Sequence, residues 1–317
     1  FLTLTMMASI IASQAMISGI FSIIYQGITT RIMPLFRVDY TSPKLRAQIY
    51  IEFANWFLMI FVLVIMVVFQ SSSHLATAYG LAVNGSMFIT AILMLWIFII
   101  RKCYIKATFA SIVLLTNIVF LAANTHKFYT GGYWSVLIAL IPFLIILIYT
   151  NGQKKLYKCL KPIEQTVFLD RYVKEYEKAY RIRGTALFFI RDTKMIPPYI
   201  ANTMFNNGII YEDNIFVSIF VCDQPFGVEY SFEEDLAIGL RHFKIKIGYM
   251  EVIDVEKLLA KADIQEKVIF YGLEDIITHN PIWKLFSFIK KNTPTFVQFY
   301  ALPSNKLHGV ITRVELK

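Results

Sequence analysis

Five long apolar runs fill the first half of the chain, at about residues 2–25, 51–70, 75–100, 107–124 and 133–150. Each is near the roughly 20 residues a helix needs to cross about 30 Å of hydrocarbon. The fourth, ATFASIVLLTNIVFLAA, is the shortest and carries Asn117 at its centre. Of the 317 residues, 56% are hydrophobic and 17% charged, a balance too apolar for a soluble domain of this size. The apolar residues crowd into the first 150 positions, so that half is read as membrane-embedded and residues 151–317 as a soluble unit.

Charge placement orients the runs. Arg31, Arg37, Lys44 and Arg46 separate the first two; Arg101, Lys102 and Lys106 separate the third and fourth; Lys154, Lys155, Lys158 and Lys161 follow the fifth. The alternate loops hold Lys127, His74 and His126. The positive-inside rule therefore puts the first set, and everything after the fifth run, in the cytoplasm. The net charge of +9 then reflects anchoring at the inner leaflet and not nucleic-acid binding. The chain opens on Phe1 inside an apolar stretch, without a charged n-region or a cleavage site, so it is expected to be a piece of a longer protein.

The expected organisation is a membrane domain at 1–151, a charged helical connector at 152–183 and an α/β domain at 184–317. In the connector, EQTVFLDRYVKEYEKAYRIR has helical spacing and alternating charge, which suits a solvated helix. Beyond it, TALFFI, NIFVSIFVC, HFKIKIGYMEVI, KVIFYGL and HGVITRVEL read as strands. PPYIANTMFNN, DVEKLLAKA with its Asp cap, and IWKLFSFIKKN read as helices. Such alternation predicts a small α/β domain that folds as a separate unit from near Gly184.

The first run poses a problem of solubility in lipid. On a helical wheel, Gln14, Ser18, Ser22, Ala15, Ala8, Gln26, Gly19 and Ala12 fall within an arc of about 160°. Met6, Ile10, Met16, Ile17, Ile20, Phe21 and Ile24 occupy the opposite arc, with Ser9 and Ser13 among them. Two readings compete. Small residues let helices approach closely, with hydroxyls and amides bonding across the contact. Alternatively the arc borders a polar cavity, because a primary amide facing hydrocarbon leaves costly unsatisfied groups. Uncharged oxygens suit a monovalent cation that must shed water and still leave. The third run repeats the theme: HLATAYGLAVNGSMFIT sets Ala76, Thr77, Ala78, Gly80, Ala82, Asn84, Gly85 and Ser86 around Tyr79. Two such helices beside bulkier ones describe a transporter core.

ASQAMISGIFSIIYQG, then YTSPKLRAQIYIEFANW, then SSSHLATAYGLAVNGSM, resemble the segments IASQAxISGxFSxxxQA, HTS…GQIYxPxxNW and SSNLAxAYGxAVTGTM of the bacterial Kup (KUP/HAK/KT) potassium-uptake family. GGYW, RGTALFFIRDTKMIPPYIANTM and LPSNKLHGVITRVEL extend the resemblance over nearly the whole chain. The resemblance implies a LeuT-like (APC-type) transporter of twelve helices in a bacterial inner membrane. It further implies uptake of K+ coupled to H+ by symport, and a cytoplasmic C-terminal domain. This chain would then be the C-terminal part: five transmembrane helices plus that domain. Gln14, Ser18, Ser22, Tyr79 and Asn84 become the candidate residues of the ion pathway or its supporting shell. Two positions depart from the family: Glu52 stands where Pro is usual, and Asn84 where Thr is usual. Glu52 is read as a helix-start residue, its charge suiting the positive end of the helix dipole.

Other chemistry finds little support. His74, His126, His242, His279 and His308 show no i, i+4 pair, and Cys103, Cys159 and Cys222 no metal-ligand spacing, so no transition-metal site and no cofactor are expected. Nucleotide-loop and nucleophile-elbow motifs do not occur. Glu233, Glu234 and Asp235 read as a solvated turn, and no nucleophile is paired with a base, so the chain is not read as an enzyme. The partners expected are the bilayer, K+, H+ and a second copy through the cytoplasmic domain. The rival reading is a membrane-anchored regulatory or nucleotide-sensing module without transport of its own.

Overall fold

The computed structural model describes all residues but 41–48, 126, 127, 130, 179, 250, 252, 301 and 317. Lys44, Arg46, His126 and Lys127, which entered the orientation argument, lie outside the described residues. Among the described residues, five helices are long and apolar enough to cross a membrane. They are α1 (Leu2–Thr29), α2 (Glu52–Phe69), α3 (Ser72–Ile100), α4 (Tyr104–Thr125) and α5 (Tyr133–Leu160). Two short strands, β1 (Asp39–Tyr40) and β2 (Ile49–Tyr50), pair antiparallel between α1 and α2. All five apolar runs thus form helices, as their length demands. α5 continues ten residues past the expected end of its run, through the lysine-rich segment to Leu160.

The chain divides into two compact units, residues 1–55 with 146–317, and residues 56–145. In the second, α3 packs along α4, and Phe69 meets Trp134 edge-on at 6.4 Å between ring centroids. In the first, the lower part of α1 packs Phe21 and Ile24 against Ile51, Ala54, Phe36 and Tyr50.

The rest of the first unit is built on a six-stranded sheet. After the small strand β3 (Ile163–Glu164) and α6 (Gln165–Lys178) come β4 (Ile182–Ile190), β5 (Met195–Ile196), α7 (Pro198–Ala201) with a π-helical turn at Asn202–Asn206, and β6 (Tyr211–Cys222). Then follow β7 (Val228–Phe232), β8 (Leu240–Gly248), α8 (Val255–Lys261), β9 (Glu266–Ile277), α9 (Pro281–Asn292), α10 (Phe296–Phe299) and β10 (Leu307–Glu315). The strand order is β10-β9-β4-β6-β8-β7, parallel throughout except that β7 runs antiparallel to β8; β3 and β5 pair separately. Helical crossovers join β4 to β6, β8 to β9 and β9 to β10, whereas β6 connects to its parallel neighbour β8 through β7. Apolar residues cover both faces. Ala186, Phe188, Phe216 and Phe270 lie on one side under α6 and α7, and Leu187, Ile215, Val217, Phe243 and Ile269 lie on the other under α8 and α10.

Three differences from the sequence reading have physical causes. The helix expected to be solvated is so on one side only: Phe168, Tyr172 and Tyr176, at i, i+4 and i+8 of α6, are buried in the sheet core. The strand begun at His242 stops at Gly248, where a Cβ would strike the Pro225 and Phe226 backbone. β7 escaped notice because it is only five residues long and nearly all exposed, although Val228, Tyr230 and Phe232 alternate with Glu229 and Ser231.

A third cluster joins α5 to this sheet. Tyr149 and Leu156 pack with Ile276, Phe286, Val314 and Leu316. Gly152 lets α5 approach, since a Cβ there would overlap the Phe286 ring.

Candidate functional site

α1 answers the solubility problem largely by itself. The Thr5, Ser9, Ser13 and Ser22 hydroxyls each donate to the carbonyl four residues back, those of Phe1, Thr5, Ser9 and Ser18, at 2.9, 2.9, 2.8 and 3.0 Å. Back-bonding of this kind satisfies a hydroxyl without any neighbouring helix. Among the described residues, therefore, these hydroxyls do not bond across a helix contact, which was one of the two competing readings. A Cβ at Gly19 would likewise meet no atom within 4 Å.

Gln14, Ser18 and Ser22 lie one above the other at i, i+4 and i+8 on α1. Gln14 and Ser18 are exposed and Ser22 is half-buried. Ser22 is satisfied within the helix, whereas the Gln14 amide makes no such bond, unlike Asn124 of α4, which donates to the carbonyl four residues back. Tyr79 and Asn84 lie on α3, in the other unit. Tyr79 is 69% exposed, and Asn84 is half-buried one turn from Gly80. Five residues apart, Tyr79 and Asn84 differ by about 140° around the helix, so α3 does not present them on one face. Glu52 is exposed and is the first residue of α2.

A further polar residue of the membrane helices stands out only in three dimensions. Asn117 of α4 is 8% exposed. It lines a groove of about 540 Å³ between α3 and α4 with Ser86, Thr90, Met94 and Lys106. A buried amide at membrane depth is a functional candidate by default. Its position at the centre of the fourth run was visible in the sequence; its burial was not.

The soluble part holds a chain of side chains that sequence reasoning missed. The Ser218 hydroxyl lies 2.7 Å from His242 Nε2, and His242 Nδ1 lies 2.9 Å from Glu233, which also accepts from Lys244 at 2.6 Å. Glu233 is exposed in the turn between β7 and β8, as expected, and is at the same time an ion-pair centre. The carboxylate accepts only, so Nδ1 carries the proton, Nε2 is the acceptor, and the serine donates to it. Nucleophile, base and acid stand in this order in serine hydrolases, but Ser218 is 0% and His242 2% exposed, inside the sheet. No substrate carbonyl reaches that hydroxyl, and the chain is a structural network. Burial lowers the His242 pKa below its ordinary value, against the raising effect of Glu233. Among the described residues, no group of three His, Cys, Asp or Glu side chains gathers to hold a metal ion.

With this geometry in place, comparison with known proteins is informative. The family model for the K+ potassium transporter integral membrane domain matches residues 1–154, and that for the K+ potassium transporter C-terminal domain matches residues 183–316. A probable potassium transport system protein Kup from Methanosarcina acetivorans is 57% identical over 316 residues, covering 100% of this chain and 52% of the relative. Proteins of the same description from Geotalea uraniireducens and Methanospirillum hungatei are 55% and 51% identical, with the same shares covered. The chain thus spans about half the length of the curated relatives it matches. The membrane-domain match overturns the expectation that this chain is merely a C-terminal part: residues 1–154 carry the membrane domain itself. Archaeal sources among the relatives also remove the ground for a specifically bacterial membrane.

Proposed function

The chain belongs to the Kup family of potassium transporters, and from that premise we propose that it takes part in secondary active uptake of K+ with H+ as the coupling ion. It is a multi-pass membrane protein with a C-terminal domain outside the membrane, and it is not an enzyme. A LeuT-like arrangement of the helices and a cytoplasmic position for the C-terminal domain belong to the same reading. The basic residues after α1, α3 and α5 support that orientation.

One observation carries the assignment of the pathway: the row Gln14, Ser18 and Ser22 along one arc of α1, with an amide that its own helix does not satisfy. Neutral oxygens so placed can replace part of a cation's hydration shell without holding it too tightly. Tyr79 and Asn84 on α3 are assigned to the same pathway or its supporting shell. The C-terminal domain is assigned regulation or a homodimer contact. The outer edge of β10, with Ile311 exposed, offers unpaired backbone groups for such a contact.

The test is rubidium or potassium uptake by potassium-uptake-deficient cells expressing the protein. Gln14→Leu is expected to lower uptake about tenfold, equivalent to about 1.4 kcal/mol, while Ile17→Leu leaves it within twofold at equal expression. Equal losses in the two variants would refute the assignment of the polar row. Uptake that persists after the proton gradient is collapsed would refute H+ coupling.

A further inference from the structure

The C-terminal ends of β4, β6 and β8 open onto a crevice of about 650 Å³, whose other wall is the end of α1. In sheets of parallel strands, ligands bind outside the carboxyl ends of the strands, and small-molecule sites measure roughly 300–1,000 Å³. The crevice belongs to one compact unit, since residues 1–55 and 146–317 cluster together.

α1 is fastened at this point. Tyr25 donates through its hydroxyl to the Glu251 carbonyl at 3.0 Å, and Thr29 to the Tyr249 carbonyl at 3.1 Å. The helix ends in a reversed turn, with Arg31 N–H donating to Ile28 and Ile32 N–H to Gly27, both at 2.9 Å. Arg31 takes the left-handed conformation, φ +62°, where glycine is usual. That turn sends its guanidinium into the crevice, where it donates to the Ile219 carbonyl at 3.4 Å. Arg191, the first residue after β4, faces the same space.

The charges here are placed but not neutralised. Asp192 and Asp223 line the crevice with the two arginines. Among the described residues none of the four forms an ion pair. Arg31 is exposed as a residue, yet desolvation of its guanidinium and the neighbouring Arg191 cation both lower its pKa. An anion between the two guanidiniums would relieve that repulsion, and the planar fork of arginine matches phosphate oxygens in pairs. The carboxylates in the same crevice repel a bare anion and accept from a donor cation.

We propose that this crevice binds a zwitterionic phosphate ester, with the phosphate held by Arg31 and Arg191 and the ammonium by Asp192 and Asp223. Two sources share that chemistry, the phosphoethanolamine headgroup of a membrane lipid and a soluble phosphate ester bearing an amine. Either would bridge the end of a membrane helix to the strand ends of the C-terminal domain. The site is separate from the transport pathway proposed above and does not depend on it.

The test uses the full chain purified in detergent and titrated with phosphoethanolamine, phosphocholine and glycerol phosphate by calorimetry. In parallel, the chain is placed in phosphatidylcholine nanodiscs with a rising fraction of phosphatidylethanolamine, and bound lipid is read by native mass spectrometry. The expected result is saturable binding of the phosphoethanolamine group, at least tenfold tighter than that of phosphocholine, which lacks N–H donors, or of glycerol phosphate, which lacks the cation. Arg191→Gln should weaken binding at least tenfold and Asp223→Asn severalfold, while Lys261→Gln on α8 leaves it unchanged. Saturation by the soluble ester identifies a soluble ligand; saturation in nanodiscs alone identifies the lipid. Binding to neither source would overturn the proposal, as would binding indifferent to both Arg191→Gln and Asp223→Asn. Asp223 is exposed on a loop, so its variant remains decisive if Arg191→Gln fails to fold.

Discussion

Ser218, His242 and Glu233 show how much a single residue owes to its register. Ser218 stands in NIFVSIFVC as strand filler, and His242 lies 24 residues on. Only the parallel pairing of β6 with β8, Phe216 opposite His242 and Ser218 opposite Lys244, brings the hydroxyl to the imidazole. The consequence is a dependence on pH. Burial holds the His242 pKa below 6.5, so the unfolded chain binds a proton there that the folded chain resists. Stability is therefore full above about pH 6.5 and falls as the pH drops below it, until the folded imidazole also protonates. The groups facing the ring are Glu233, Lys244, Asp192 and Ser218. Glu233, lowered chiefly by the Lys244 hydrogen bond, contributes in a separate window, lost as pH falls through the carboxylate range. Thermal unfolding of the full chain should lose stability between pH 7 and 5.5, and His242→Gln should flatten that slope. An unchanged slope in the variant would place the titrating group elsewhere. Ser218→Ala should cost about 1–3 kcal/mol at pH 7, because it strands a buried imidazole nitrogen.

At the scale of elements, the ends of the membrane helices follow a rule of their own. After α1, α3 and α5 the chain turns through Arg31, Lys102 and Lys161, all cations, at φ +62°, +55° and +48°; after α2 it turns through neutral Gln70 at φ +50°. Lys102 N–H donates to Ile99 and Cys103 N–H to Phe98, the same paired bonds that close α1. A left-handed residue with a Cβ costs about 1–2 kcal/mol, and a cation at a helix C-terminus recovers roughly 0.3–1 kcal/mol. Backbone strain is thus kept where positive charge is wanted. Lys102→Ala retains the strain and loses the charge, whereas Lys102→Gly loses both. In detergent, Lys102→Gly should be more stable than Lys102→Ala by about 1 kcal/mol, read from unfolding midpoints; the reverse order would show that the turn carries no strain. The basic residues themselves were plain in the sequence, as were the five helices, because an apolar run of 20 residues has few other solutions. The left-handed turns were not, since no residue type but glycine announces them. The candidate site was legible as a row on α1 because helical periodicity alone defines it. Asn117 and the crevice at Arg31 were not, because burial and charge placement there depend on residues far apart in sequence.

At the scale of the molecule, the question is where the soluble domain begins. Alternation of strands and helices suggested Gly184, inside β4. Yet α6 lies before that point and supplies Phe168, Tyr172 and Tyr176 to the sheet core, at 1%, 0% and 7% exposure. It is also tied in by polar groups. The Tyr172 hydroxyl donates to the Gly239 carbonyl at 3.0 Å and accepts from Asn214 at 3.1 Å, and Tyr176 donates to Glu212 at 2.8 Å. Losing one buried aromatic side chain costs about 3–5 kcal/mol, so losing three rivals the whole stability of a domain, about 5–15 kcal/mol. A chain of residues 162–316 should therefore unfold cooperatively. A chain of residues 184–316 should aggregate or melt without a cooperative transition. The first also sheds Leu156 and Tyr149 of α5, which cover Phe286, so it should be less stable than the domain in the full chain while keeping its cooperativity. Calorimetry and near-ultraviolet circular dichroism on the two pieces decide the matter. Equal cooperative melts would mean that α6 is an appendage, and the sheet would then have to be stable with one of its two faces largely bare.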